Sequence, residues 1–301
     1  FAICEEATWV PPLHRLQSRE NVDECMPDAS DRQVELVTAT TSDLLSWIHY
    51  LLRDELERVS VRIRARIERE VRFRLMEPYM DRSDYWWMGF REGTRINNWN
   101  PWCNSGALMA FLLLERDEEA RAAGVDKIVG SLEAFVRTYP PDGCCDEGPS
   151  YWGAAAGGLL ASLEMLSEAS GGKLDLFGVP IIRDIGSYIA KVHIHDNYYV
   201  AFADGDARPG IGGSGMYRYG KRIGDEALMR LGASRPPGAM PRVLSWFGLY
   251  GVLVDLFSEP ERLAFGGGAP YVRDAWFPAT QVMAAREREG SERGLYVAAK
   301  G

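Results

Sequence analysis

Apolar residues recur every three or four positions in the first third of the chain, and this spacing constrains the fold more than any other feature. From Thr41 to Leu75 the spacing predicts one long helix that a Thr41-Ser42-Asp43 cap begins. Its apolar face comprises Leu52, Leu56, Val59, Ile63, Ile67, Val71 and Leu75. The opposite face alternates arginine with acids, which is typical of a solvated face laced with ion pairs, although a track for a polyanion has the same composition.

Further segments with helical spacing follow, separated by breaks such as Gly171-Gly172 and Pro180. We expect helices over 104–115, 117–138, 151–169, 181–194, 222–232 and 241–257. This series favours stacked antiparallel hairpins. After Pro260 the stretches "QVMAARE" and "GLYVAAKG" indicate one or two strands, too few for a stable sheet on their own. The predicted organisation is a helical domain over 1–260 and the start of a β domain over 261–301.

The bulk composition describes a globular chain with an acidic balance. Its 301 residues are 46% hydrophobic and carry a net charge of -9, which excludes disorder and makes nucleic acid an unexpected partner. The longest apolar stretch, Leu108 to Leu114, is too short to span a membrane, and the N-terminus has no signal-peptide pattern. Because the chain begins with Phe1 and ends in a strand-like run, we expect a piece of a longer protein. The five cysteines, Cys25 among them, have no standard metal-ligand spacing and are interpreted as ordinary thiols, so no metal site is predicted.

Three stretches concentrate residues suited to chemistry on a sugar acid. The first, "REGTRINNWNPWCNSG", combines arginines that can grip a carboxylate, amides that donate without adding charge, and flat tryptophan faces. Its candidates are Arg91, Arg95, Asn97, Asn98, Trp99 and Trp102. The alternative is that the amides cap a helix and the tryptophans are core residues.

The second stretch, "YPPDGCCDEGPSYWG", is a Pro- and Gly-rich loop before a helix. Asp146 and Glu147 could act as acid and base, Tyr151 could donate a proton, and Trp152 adds an aromatic face. Acids at this position also cap helices for structural reasons, and the spacing does not choose between the two interpretations.

The third stretch, "KVHIHDNYYVAFADGDARPG", contains two alternating histidines. On an extended segment His193 and His195 would share one face and could contact a substrate acid or a metal. A structural histidine is the commoner case. Tyr199 is a further candidate for substrate contact.

These three stretches, in this order, resemble the heparinase II/III-like polysaccharide lyases, as do the opening "FAICEEATWVPP" and the closing "WFPATQVMAARE" and "GLYVAAKG". The resemblance implies an incomplete (α/α) toroid of helical hairpins, then a large antiparallel β-sandwich of which this chain holds only the start. It also implies an acidic polysaccharide substrate and a periplasmic or secreted location. Neither a cofactor nor a membrane span is expected, while a structural metal in the β-sandwich and the oligomeric state stay open.

By the same resemblance Asn98 matches the residue that neutralises the uronate carboxylate, and Tyr151 matches the proton-transfer tyrosine. Some family members carry His directly after that Asn, where this chain has Trp99. The family's other functional histidine falls beyond the end of this sequence, so we expect this chain to be catalytically incomplete.

The expected reaction is β-elimination: a base such as His193 removes the C5 proton of a uronic acid, donors stabilise the resulting charge, and Tyr151 protonates the leaving oxygen. A local basic rim would offset the acidic net charge; its members are Arg91, Arg95, Arg218, Lys221 and Arg222. Two other classes stay open. One is a glycoside hydrolase that uses carboxylates among Asp142, Asp146, Glu147 and Asp204. The other is a carbohydrate-binding fragment without turnover.

Overall fold

The computed structural model describes residues 1–18, 28–30, 32–236 and 248–301. These residues are mainly helical, with small antiparallel sheets in the second half of the chain, which confirms the predicted mainly α class. The chain divides into two compact units. Unit 1 comprises Phe1–Arg137 and Val243–Tyr250, and unit 2 comprises Thr138–Arg242 and Gly251–Gly301. The predicted boundary between 1–260 and 261–301 stays a prediction, as do the roles of Cys25 and of residues 241–247, which lie outside the described residues.

Unit 1 is built from helices of very different lengths. They are α1 (Pro12–Ser18), α2 (Leu36–Leu51), α3 (Arg53–Val59), α4 (Val61–Val71), α5 (Glu77–Asp81), α6 (Trp99–Leu114) and α7 (Glu118–Thr138). Short 3-10 turns occur at Ala2–Glu5 and Trp86–Met88, and a π-helical turn at Arg72–Met76 joins α4 to α5.

The single long helix predicted over 41–75 is wrong, because the chain breaks twice within it. Leu52 leaves helical geometry, and Ser60 is extended at φ -170° and ψ 130° while its hydroxyl accepts from the Arg62 N–H at 3.2 Å. The first helix also begins earlier than predicted, since Glu35 is its N-cap and Asp43 is an interior residue. The predicted apolar face consequently splits: Val59 is exposed, whereas the part from Ile67 onward is buried. Apolar spacing alone does not reveal a serine that restarts a helix.

The arginine-rich face carries many ion pairs, as the interpretation of a solvated face laced with pairs predicted. Glu70 is the centre of this arrangement, because Arg66, Arg69 and Arg74 all contact its carboxylate at 2.9–3.1 Å. The further pairs are Arg53–Glu57, Arg58–Glu55, Arg64–Glu57, Arg64–Glu68 and Arg72–Glu115. Their positive charge is therefore compensated within the unit.

Helices α2 and α6 pack closely against each other in unit 1. Gly106 permits it, because a Cβ at this position would lie 2.4 Å from the backbone oxygen of Ala39. The helix α6 then buries Leu108, Met109 and Phe111 in the core. A residue larger than glycine at 106 would force the two helices apart.

Unit 2 combines helices with two small sheets. Its elements are α8 (Pro149–Ala169), α9 (Pro180–Lys191), β1 (His193–His195), β2 (Tyr198–Tyr199), α10 (Gly213–Ile223), α11 (Glu226–Ser234), most of α12 (Gly248–Phe265), β3 (Asp274–Phe277), β4 (Val282–Arg286) and β5 (Tyr296–Lys300). The breaks at Gly171-Gly172 and Pro180 are confirmed. The helix predicted over 222–232 is wrong, since Gly224 adopts a left-handed conformation at φ 69° and separates α10 from α11. The predicted change of structure after Pro260 comes later, because α12 continues to Phe265.

The C-terminal strands pair as an antiparallel sheet in the order β3-β4-β5. The two strands expected from sequence are β4 and β5, and β3 is a third that was not predicted. Phe277, Val282 and Ala284 are buried, and the Phe277 ring contacts Tyr188 of α9 at a centroid distance of 5.4 Å. This sheet therefore packs against helix α9, which supplies the apolar cover that three isolated strands lack.

Candidate functional site

The amide- and tryptophan-rich turn of unit 1 begins helix α6. The Asn97 side-chain oxygen accepts from the Trp99 N–H at 3.0 Å, and the Asn97 and Asn98 backbone oxygens accept from Asn100 and Trp102 at 3.1 and 3.3 Å. Residue 101 is proline and has no N–H. The backbone N–H groups of the first turn are therefore bonded within the turn. Only side chains at this helix start are left to bind an anion.

The two candidate amides have different surroundings. Asn98 is buried, with 4% of its surface exposed. Asn97 is half-buried, and its side-chain oxygen is fixed on the Trp99 N–H, so its Nδ2 points away from the helix end. Among the described residues Nδ2 has no hydrogen-bond partner. Asn97 therefore offers a neutral donor to a ligand oxygen, whereas the predicted neutraliser Asn98 is enclosed.

Two further amides of the same stretch hold the core. The Asn100 Nδ2 donates to the Trp87 carbonyl at 2.8 Å, and Asn104 donates to Asn100 at 3.0 Å and to the Ser131 hydroxyl at 2.9 Å. The Tyr79 hydroxyl closes this network by donating to Asn104 at 2.6 Å. These buried amides have their hydrogen bonds made within the core, where they join α6 to its neighbours, so their role is structural.

The candidate tryptophans are partly exposed. The Trp99 ring lies beside Trp86 at a centroid distance of 5.2 Å, and the Trp102 Nε1 donates to the Thr40 hydroxyl at 2.9 Å. Both candidate arginines are exposed, and Arg91 lies 3.5 Å from the Asp84 carboxylate. The structure thus brings Asn97, Trp86 and Trp99 together as an aromatic surface with an amide at its edge.

Sequence reasoning missed a histidine in this place. His14 of α1 lies against Trp99 in an edge-to-face contact at 4.9 Å, and its Nδ1 contacts the Glu35 carboxylate. The pair is 21 positions apart in the chain, and neither residue lies in any of the three stretches. The only local signal is that His14 follows Pro11-Pro12 at a helix start.

In unit 2 the second and third stretches meet at the start of α8. The Ser150 hydroxyl accepts from the Asp206 N–H at 2.7 Å, and Gly148, at φ 92°, approaches so closely that a Cβ would lie 2.6 Å from the Phe202 carbonyl oxygen. Tyr151 follows in the first turn of α8 and is half-buried. The predicted tyrosine is therefore placed next to the 202–206 loop.

The carboxylates of the second stretch divide in their roles. Asp142 accepts from the backbone N–H groups of Cys144, Ala279 and Thr280 at 2.8–3.3 Å, which fixes the turn between β3 and β4. Asp146 is exposed and Glu147 is half-buried. Asp142 is thus engaged in structure, which removes one of the acids expected for a hydrolase.

Trp152, His193 and Tyr199 lie in the core of unit 2. The Trp152 Nε1 donates to the Ile185 carbonyl at 2.7 Å. The Tyr199 hydroxyl accepts from Arg235 at 2.7 Å, and burial raises the pKa of Tyr199 to about 12. Burial also lowers the pKa of His193 to about 4, and its Nε2 lies 3.0 Å from the Asp196 carbonyl oxygen. With exposures of 3% or less, these three side chains stabilise the unit.

The two histidines of the third stretch do not share a face. Both lie on the extended strand β1, whereas the helix predicted over 181–194 would have included His193 and is therefore too long. The pairing with β2 shifts between the two histidines, so that His193 pairs with Tyr199 and His195 with Tyr198. His193 is enclosed beside Tyr271, whereas the side chain of His195 is 45% exposed. A register shift turns a side chain to the other face of the strand, so the alternation of faces along a regular strand does not hold across it.

No family model and no curated protein matches this chain. Within the described ranges no helix could span a membrane, and no three His, Cys, Asp or Glu side chains cluster as a metal site would require. Asn98 belongs to unit 1 and Tyr151 to unit 2, so their joint action on one sugar stays a prediction.

Proposed function

We propose that this protein is a polysaccharide lyase that cleaves a uronic-acid-containing polysaccharide by β-elimination. The observation that carries the proposal is the half-buried Asn97–Trp99–Trp86 surface, where a neutral amide donor stands at the edge of an aromatic platform. Aromatic faces stack on sugar rings. A neutral amide donates to a carboxylate without adding negative charge, so it does not raise the energy of the enolate that forms. A carboxylated sugar satisfies both features.

The proposal moves the role of carboxylate neutraliser from Asn98 to Asn97, because Asn97 has the free Nδ2. Tyr151 keeps its predicted role as the acid that protonates the leaving oxygen. The finer elements of the proposal are the incomplete (α/α) toroid, the β-sandwich that follows it, and a periplasmic or secreted location. They come from the resemblance of the three stretches to heparinase II/III-like lyases. The elimination itself needs neither redox chemistry nor a cofactor.

A test separates elimination from hydrolysis directly. The protein is incubated with polymers of glucuronate, iduronate, mannuronate and guluronate, and ultraviolet absorbance and reducing ends are followed together. Elimination gives both signals in equal amounts, because a C4–C5 double bond conjugated to the carboxylate forms at each cleavage. Hydrolysis gives reducing ends alone, and that result, or binding without cleavage, would overturn the proposal.

Two conservative variants assign the roles. Tyr151→Phe removes only the phenolic proton, and we expect kcat to fall by about 100-fold or more with little change in KM. Asn97→Asp replaces the neutral donor by a like charge facing the uronate, and we expect a loss of about 100-fold in kcat/KM. Trp152→Phe is the control, because Trp152 is buried away from solvent and should leave the kinetics of folded protein unchanged.

A further inference from the structure

Glu35 is held rigidly at the start of α2. One carboxylate oxygen accepts from the Thr38 N–H at 2.5 Å, and the other accepts from the Val37 N–H at 2.9 Å. Only 4% of its side chain is exposed. The carboxylate is therefore fixed by backbone that cannot move without unwinding the helix.

The fixed carboxylate determines the protonation pattern of His14. Since Glu35 contacts Nδ1, that nitrogen carries a hydrogen, and the neutral imidazole keeps its lone pair on Nε2. Within the described part of the chain, Nε2 has no hydrogen-bond partner. A base oriented by a carboxylate, with its second nitrogen free, is the arrangement that enzymes use for proton abstraction.

The position of His14 matches this chemistry. Its ring lies at the edge of Trp99, the aromatic face to which we assign the sugar, and 16% of its side chain is exposed. A sugar ring stacked there would have an imidazole beside it and the Asn97 amide at the same end of α6.

We propose that His14 is the base that removes the C5 proton of the uronate and that Glu35 is its positioning residue; this inference rests on the proposed lyase function. The Nε2 lone pair takes the proton, and the C5–H electrons pass into the carboxyl group as an enolate. Those electrons return to form the C4–C5 double bond while the C4–O bond breaks. The leaving oxygen takes a proton from the general acid of the reaction, and proton exchange with water resets that acid and His14.

A second His–Glu pair in unit 1 provides a matched control. In the pair of His49 and Glu68, the Nε2 of His49 lies 2.8 Å from the Glu68 carboxylate and 3.2 Å from the Arg64 Nε. No aromatic ring contact involves His49 among the residues described. It has the same charge pairing as His14 but no free nitrogen next to a sugar-binding face.

The experiment compares His14→Ala with His49→Ala on a uronate polymer that the unaltered protein cleaves. We expect His14→Ala to lower kcat about 100-fold or more with little change in KM, and added imidazole to restore part of the lost kcat. His49→Ala should keep kcat and should not respond to imidazole. Tyr151→Phe should also not respond, because imidazole does not fill the place of a phenol. Circular dichroism and the melting temperature show whether each variant is folded. If His14→Ala does not fold, His14→Gln is used in its place.

The outcomes separate the two proposals. If the unaltered protein produces no unsaturated product from any uronate polymer, the lyase function fails and this inference fails with it. If the unaltered protein is a lyase and His14→Ala or His14→Gln keeps full kcat, the function stands and the assignment of His14 is overturned. A loss of kcat in His14→Ala that imidazole does not relieve, together with an equal loss in His49→Ala, would assign His14 to structure alone.

Discussion

Asn97 and Asn98 are adjacent amides with the same chemistry, and their surroundings give them different roles. The Asn97 side chain closes the start of α6 and leaves its Nδ2 free, whereas Asn98 is enclosed. Which of two neighbouring amides faces solvent depends on the angle at which the chain enters the helix. The sequence predicted both as candidates and favoured Asn98 because of its place in a family pattern.

Asp43 is a buried carboxyl group whose ionisation should change the stability of the folded state near neutral pH. It lies inside α2, accepts from the Leu249 N–H at 2.7 Å, and burial raises its pKa to about 7 from 3.8. The folded state therefore holds this proton between about pH 4 and pH 7, where the unfolded chain has lost it. Stability from this group is present below pH 4 and is lost as the pH rises to 7, at about 1.4 kcal/mol per pH unit.

The contribution of Asp43 is best measured as the difference in the free energy of unfolding between Asp43→Asn and the parent protein at each pH. The buried His193, with its pKa lowered to about 4, acts with the opposite sign, because the unfolded chain protonates first as the pH falls. We expect Asp43→Asn to gain stability relative to the parent between pH 4 and pH 7 and to show a constant difference above pH 7. Urea unfolding at half-unit pH intervals measures this, and parallel pH curves for the two proteins would contradict it.

At the scale of elements, the helices were predicted well where their ends carry strong signals. The helix over 117–138 matches α7 within one residue, and Pro180, which was predicted as a break, begins α9 in the first helical turn, where proline is favoured. The failures are breaks inside periodic segments, at Leu52, Ser60 and Gly224. The apolar spacing continues across such breaks because it records which residues face the core, and both sides of a break can face the same core.

The close packing of α2 on α6 gives a test at this scale. Gly106→Ala places a Cβ 2.4 Å from the Ala39 carbonyl oxygen, so we expect the free energy of unfolding to fall by about 1–3 kcal/mol. Gly130→Ala in α7 is the control, since its new Cβ meets only the Phe90 ring at 3.7 Å. That variant should be about 0.5–1 kcal/mol more stable than the parent. Equal stabilities of the two variants in urea would show that α2 and α6 are not in close contact.

At the scale of the whole molecule, the net charge of -9 is not offset by the predicted basic rim. Arg218 contacts Glu164 and Asp255, and Lys221 contacts Glu261 at 2.6 Å. Arg222 and Arg91 also have carboxylates within 4.0 Å. These cations are largely compensated, so a long polyanion should meet net repulsion as it approaches.

This repulsion predicts an unusual salt dependence. Raising ionic strength from about 10 mM to about 150 mM shortens the screening length from about 30 Å to about 8 Å, and we expect kcat/KM for a polyuronate to rise severalfold. A uronate disaccharide with fewer charges serves as the control and should respond less. A steep fall in kcat/KM with added salt would instead show that a local basic surface governs binding.

The sequence by itself determined the mainly helical class, most helix positions and the strands β4 and β5, because these depend on local spacing and on the turn chemistry of Gly and Pro. It also located the turn that holds Asn97 and Trp99. Only the tertiary structure decided that Trp152, His193 and Tyr199 are core residues and that His14, Glu35 and Trp99 meet. Burial and contact between distant positions arise from how helices pack together, and spacing within a single segment does not specify that packing.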